Sequence, residues 1–247
     1  MSDPIVVAAG AAVAAGAALQ AATGFGFALV CAPLLFAALG PQEAIGTLLV
    51  LAALVSVLTL ATEGRRPRPL GREAAVLSAW AVPGALAGVA VLRSLDAVAL
   101  QVAVTAGVVL TLAARRLARG GAGRRPGWSA PLAGLAAGAL TTSTNTNGPP
   151  LLLHLTGRGA RPDQVRDTLT VCFLVMAAIS GAALWATGTS GATPKPGVLA
   201  ALVPLVALGH LSGRRVFGRL AAGGGYERVL TAVLVVSVGT GLLVAVL

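Results

Sequence analysis

Charge is scarce in this sequence, and negative charge is the scarcest. Only 11% of the 247 residues are charged and eight are acidic, where a soluble domain carries about 25% charged residues. The acids avoid the middles of the apolar runs: Glu43, Glu63, Glu73, Asp96, Asp163, Asp167 and Glu227 all sit near run ends. A carboxylate at membrane depth is the natural ligand for a cation or coupling proton, and none is in evidence. Cysteine is rarer still. Cys31 and Cys172 stand too far apart for a zinc ribbon or a CxxC redox pair, and each lies in an apolar run as a small packing residue. No P-loop is present and no GxGxxG opens a strand–helix unit. Neither a metal nor a cofactor is expected.

What fills the chain is hydrocarbon. Residues are 56% hydrophobic and the mean hydropathy is +0.87. The charges come in short clusters between apolar runs of roughly 17 to 20 residues, enough helix to cross ~30 Å of bilayer core. The runs predict helices over 44–62, 74–92, 97–114, 168–187, 197–213 and 229–247. A net charge of +10 would suggest nucleic acid in a soluble protein. Here it reads as basic loops facing the cytoplasm, with the lipid bilayer as partner and no nucleic acid. The start, "MSDPIVVAAG", has no basic n-region and is read as structure rather than as a cleaved signal.

The chain also resembles itself. Pro41 and Pro83 are matched by Pro162 and Pro204, Gly88 by Gly209 and Arg93 by Arg214, all at one offset. "APLLFAAL" (32–39) is matched by "PPLLLHLT" (149–156), with a short insertion in the second copy. This spacing predicts a duplication, residues 1–117 and 128–247, joined by a basic linker at 118–127. Each copy begins with an interrupted element: 5–38, broken by "TGFGF" and Pro33, and 128–156, broken by "TTSTNTNGPP". Proline removes a backbone donor and disfavours helix in the residue before it, so Pro33, Pro149 and Pro150 are expected to break their helices.

The arginines decide whether an interrupted element crosses the membrane or returns to its own side. Single crossings would divide the 18 basic residues almost evenly between the two faces. Hairpins put loops 63–73, 115–128, 157–166 and 214–228 on one side with sixteen of the 18, leaving Arg93 and Lys195 outside. That asymmetry is the kind that orients membrane proteins. The expected architecture is therefore an all-α polytopic membrane protein of two inverted repeats. Each repeat is a broken-helix hairpin followed by three transmembrane helices, and both termini lie outside. Inverted repeats with broken helices meeting at the midplane form a transporter architecture.

Irregular backbone at membrane depth is tolerated only inside protein or around an aqueous cavity. The first tip brings Thr23, Gly24 and Gly26. The second brings Thr142, Ser143, Thr144, Asn145, Asn147 and Gly148. Neutral donors without carboxylates, beside half-helix N-termini, suit an oxyanion. These residues are the expected substrate site.

At these residues the sequence resembles a known family. "ATGFGFALVCAPLLFAALGPQEAIGTLL" (22–49) and "GALTTSTNTNGPPLLLHLTGRG" (138–159) resemble the paired signatures of TauE/SafE permeases, also grouped as toluenesulfonate uptake permeases. The likeness covers nearly the whole chain, and the "NGPP" motif is its more specific part. It implies a bacterial inner-membrane permease for small sulfur-containing anions such as sulfite, sulfonates or sulfoacetate. It carries over to Gly24, Gly26, Pro33, Asn147, Gly148, Pro149 and Pro150. Members with three consecutive glycines in the first motif differ from this chain, where Phe25 and Phe27 interleave and could wall the cavity.

Other residues receive weaker assignments. His154, just past the second tip, is a candidate proton relay, and His210 a packed histidine. Gln20 is the intramembrane amide nearest a tip, with Gln101 the other. The GxxxG pairs Gly84–Gly88 and Gly134–Gly138 allow close helix approach, within one chain first and in a homodimer second. Trp128 and Trp185 fit interfacial anchors, and Trp80 a packed position. The rival readings are an intramembrane enzyme using Ser143 with His154 or His210, and a non-transporting assembly subunit. The topology is open to direct test. A cysteine introduced at Arg119 is expected to label only from the cytoplasmic side; labelling from outside would overturn the hairpin arrangement.

Overall fold

The computed structural model describes residues 4–96, 98–100, 102, 103, 106 and 129–222, with side chains not described at 162 and 216–222. Every regular element among them is helical. The order is α1 (Pro4–Thr23), α2 (Phe27–Leu39), α3 (Pro41–Thr62), α4 (Gly71–Ser94), α5 (Ser129–Ser143), α6 (Gly148–Gly157), α7 (Pro162–Ala186), a 3₁₀ turn (Ser190–Ala192) and α8 (Pro196–Ala222). Five helical stretches among the described residues are long and apolar enough to cross a membrane. The greater part of the expected helix 97–114, the linker 118–127 and the helix 229–247 lie outside the described residues, as do Gln101 and Trp128.

The interrupted elements fold back on themselves. Cys31 Sγ contacts Ala12 O at 3.3 Å, and Gly16 faces Phe27, so α1 and α2 run antiparallel. Ser129 meets His154 and Thr141 meets Asn147, so α5 and α6 do likewise. The second arms are short. α2 has 13 residues and α6 has 10, lengths of roughly 20 and 15 Å against a ~30 Å core. They are half-helices.

Pro33 does not break anything. The first interruption lies at Gly24–Gly26, and α2 carries Pro33 through its interior, as α4 carries Pro83 and α8 carries Pro204. A membrane helix tolerates proline when neighbouring helices re-satisfy the freed backbone group, and Pro33 is fully enclosed. Pro149 and Pro150 stand in the first turn of α6, where a missing N–H deprives the helix of little. They start a helix rather than interrupt one. Other boundaries also moved. α8 continues through Arg214 and Arg215, because these charges end the apolar pattern without ending the helix.

Two helix pairs form the frame. α4 packs on α5, with Gly84 against Leu135, Gly88 against Ala139, Gly134 against Leu77 and Gly138 against Ala81. α1 packs on α8, with Gly209 against Ala14 and Gly213 against Ala18. Rising numbers meet rising numbers in both pairs, so each is parallel, and each joins distant parts of the chain. The partner atoms are backbone carbonyls, so the backbones touch where a side chain would stand. The GxxxG glycines are thus used within the chain.

The described basic residues sort to opposite ends. Arg65 and Arg68 gather with Asp167, Arg166 with Glu63, and Arg158 with Glu73. At the far end of α3, Lys195 pairs with Glu43, while Arg93 bonds Thr187 O. α1 runs toward the arginine-rich end, since Ala21 O accepts from Arg166. α5 runs away from that end, since Ser129 joins the His154–Glu73–Arg158 group.

The seams predict sharp steric limits. Gly138→Val should cost about 1 to 3 kcal/mol or more through overpacking. Gly181→Ala, with nothing within 4 Å of its added carbon inside α7, should stabilise by about 0.5 to 1 kcal/mol, seen as a small rise in the melting temperature of the purified protein.

Candidate functional site

The first tip is a three-residue turn. Gly24 (φ 81°) and Gly26 (φ 108°) both adopt the left-handed backbone that favours glycine. A Cβ on Gly26 would also stand 2.9 Å from Leu19. Thr23 spends its hydroxyl on the turn, donating to Phe25 O and accepting from Phe25 N–H at 3.2 Å. Helix α2 then begins at Phe27 with no side-chain cap. Its first-turn N–H groups, at Phe27 and Ala28, have no acceptor within the helix and carry its positive end.

The second tip disposes of most of its polar groups internally. Thr141, Thr142, Ser143 and Thr144 each donate to the carbonyl four residues back, at 2.6, 3.1, 2.8 and 3.2 Å. Thr142 also reaches Ser180 at 2.8 Å, and Thr144 meets Thr146 at 2.7 Å. Asn147 Nδ2 donates to Thr141 Oγ1 at 2.8 Å. Asn145 differs. It is the one described non-glycine residue at positive φ (57°), and its Nδ2 is buried without a hydrogen-bond partner. An unsatisfied buried amide costs about 1 to 3 kcal/mol.

The two tips meet. Gly148 faces the ring of Phe25, and a cavity of about 20 Å³ lies between them, room for about one water. Its polar wall is Gln20, Gly26, Asn145, Thr146, Asn147 and Gly148; its apolar wall includes Phe25, Phe27, Ala52 and Phe173. Ala52 and Phe173 are each the twelfth residue of α3 and α7, so the cavity sits at mid-helix. Among the described residues no carboxylate lines it. Gln20, 3% exposed, is held by Ser56 at 3.4 Å.

Of the residues expected at the site, Gly26, Asn145, Asn147 and Gly148 line the cavity. Thr23, Gly24, Thr142, Ser143 and Thr144 do not, because backbone carbonyls of their own helix or turn take the hydroxyls and Gly24 packs on Arg166. Ala52 and Phe173 went unrecognised, being ordinary apolar residues within long apolar runs. His154 lies away from the cavity. Its Nδ1 meets Ser129 at 2.9 Å and its Nε2 meets Glu73 at 2.8 Å, tying α4, α5 and α6 together. His210 is engaged by Thr62 at 2.8 Å. Ser143 therefore pairs with neither histidine, so the dyad of the rival enzyme reading is not assembled.

A second polar group closes the arginine-rich end. Asp167, its side chain fully buried, takes two bonds from Arg65 at 2.7 and 2.8 Å and one from Arg68 N–H at 2.7 Å. The Asp167 carboxylate in turn holds the Arg65 guanidinium above its ordinary pKa. Leu70 N–H donates to Thr168 at 2.9 Å. Together these bonds fasten the α3–α4 loop onto the start of α7.

Long apolar helices, with half-helices whose tips meet around a small cavity of one polar and one apolar wall, fit a multi-pass membrane protein of the transporter class. The family described as Sulfite exporter TauE/SafE matches residues 8–242, and the chain belongs to that family. Among curated proteins and among solved structures, no match is found.

The loop anchor is expected to matter for stability. Asp167→Ala should cost about 2 kcal/mol, since it removes charged hydrogen bonds from a buried position. Asp163→Ala, at the exposed start of α7, should change the melting temperature little.

Proposed function

We propose that this protein is a permease for small sulfur-containing oxyanions, of the sulfite, sulfonate or sulfoacetate class, binding its substrate between the two hairpin tips. The observation that carries the reading is Asn145. A donor held at mid-depth in an uncommon backbone conformation, buried and without a partner, is explained by a ligand that accepts hydrogen bonds. The positive end of α2 and the absence of any carboxylate among the described residues that line the cavity favour negative charge on that ligand. Phe25, Phe27 and Phe173 remove competing water. The cavity must widen to admit a four-atom anion, which fits a site closed between two alternating openings.

The duplication and its inversion belong to the same reading. The opposite directions of α1 and α5, and the parallel pairs α1–α8 and α4–α5, support two inverted copies. The arginine-rich end is then cytoplasmic by the positive-inside bias, in a bacterial inner membrane, with both termini outside. Export is the favoured direction. A dianion leaving a cell that is negative inside gains about 4.6 kcal/mol per 100 mV, twice the unit-charge value, so no coupled ion is needed. Were a proton relayed, His154 and Glu73 would be the pair to carry it.

The test is sulfite and small-sulfonate flux in proteoliposomes under an imposed potential of either sign. Wild-type protein should show potential-dependent flux. Asn145→Gly deletes the amide while relaxing the left-handed backbone, so it should reduce flux at least tenfold without lowering the melting temperature. Asn147→Ala should also reduce flux. Folded wild-type protein that moves none of these anions would sink the assignment.

A further inference from the structure

The first tip has two faces. Gly26 lines the cavity, while Gly24, two residues earlier, is turned to Arg166. The side chain of Arg166 packs so tightly on Gly24 that no Cβ would fit there. Arg166 rises from the fifth residue of α7, seven residues and about 10 Å from Phe173 in the cavity wall. The tip is thus a thin partition, with the cavity on one side and a guanidinium from the arginine-rich end on the other.

The bonds of that guanidinium are incomplete. Nη2 donates to Ala21 O at 2.9 Å and Nη1 meets Glu63 at 2.9 Å, but the buried Nε–H has no partner. That N–H lies on the guanidinium edge away from Nη1, so the group is short of one acceptor while the Nη1 end is the arm an oxyanion can contest with Glu63. Glu63, whose side chain is 7% exposed, is itself shared with Arg65 at 3.1 Å. A carboxylate displaced from Arg166 would therefore keep a cationic partner, which lowers the cost of displacing it.

We propose that Arg166 is a second anion-binding residue, at the arginine-rich mouth of the route, where the substrate oxyanion takes the place of Glu63 on the guanidinium and frees the first tip to move. The proposal rests on the permease reading of the tip cavity. Glu63 acts as an internal competitor: it neutralises Arg166 while no substrate is present and swings to Arg65 when substrate arrives. The Ala21 carbonyl, in the last turn of α1, holds the guanidinium against the tip, so anion capture and tip release occur at one side chain.

A purely mechanical latch and an anion site differ in the sign of one comparison. In proteoliposomes supplied with sulfite at the arginine-rich face, Arg166→Gln should raise KM at least tenfold. Glu63→Gln, which removes the competitor, should lower KM severalfold. Arg166→Lys, which keeps the charge without the fork, should fall between Arg166→Gln and wild type. If Glu63 and Arg166 only latch the tip, the two neutral variants break the same bond and shift the rate in the same direction with KM unchanged. That result overturns the proposal, and so does a Glu63→Gln variant with an unaltered or raised KM, even if Arg166→Gln fails to fold. Asn145→Gly in the same assay separates the two readings. Its loss of flux beside a normal KM in Arg166→Gln removes Arg166 and keeps the tip cavity, whereas a wild-type protein that moves no sulfur oxyanion removes both.

Discussion

A peptide group in hydrocarbon has no water to bond, and the structure is organised around that fact. Continuous helices satisfy their own backbones and can face lipid, but a chain that stops being helical at mid-depth must be enclosed. Among the described residues the chain stops twice, at Gly24–Gly26 and at Thr144–Asn147, and the surrounding helices wrap those two points. α3 and α7 contribute their midpoints to the enclosure, and the half-helices α2 and α6 start inside it. The same shortage of water makes exposed helix ends and free amides valuable to an anion, because nothing else competes for them.

Enclosure requires close packing, and glycine supplies it. The α4–α5 and α1–α8 seams bring backbone against backbone, with carbonyls of one helix resting where the other lacks a Cβ. Lipid gives apolar side chains no reason to associate, so van der Waals contact at small residues must hold membrane helices together. Charge finishes the job at the ends. Asp167 fastens the loop between α3 and α4 to α7, and Glu73 is bridged by His154 and Arg158. Acidic residues are few, yet these two sit where several segments converge.

Much of this was legible in the sequence, and the exceptions have physical causes. The arginine count read the hairpins, because orientation depends on a summed charge rather than on any single contact. The second tip was visible as a polar tract in a greasy chain. Which of its side chains face the cavity was not visible, since a Thr or Ser on a helix can satisfy itself on the carbonyl four residues back. Four of them do so, while Asn145 and Asn147 stand in the cavity wall. Pro33 misled for a related reason: a proline signals a missing donor, but whether the helix yields depends on neighbours that no local pattern reveals. Ala52 and Phe173 carry no mark at all. Only the fold sets them opposite the tips.

The seams also determine which parts can travel. A hairpin whose first arm lies backbone-to-backbone along α8 has no lubricating side chains over which to slide, since Gly209 and Gly213 interlock with the α1 carbonyls of Ala14 and Ala18. The first hairpin is therefore interlocked with α8 along this seam, and the second hairpin with α4 by the same reasoning. On the permease reading, alternation between openings would displace these interlocked pairs against α3 and α7, with the Gly24–Arg166 contact on α7 as the tight point between them. The hinges would then fall, on that reading, in the short connections between helices, and the polar tips, the costliest segments to expose, would not move alone.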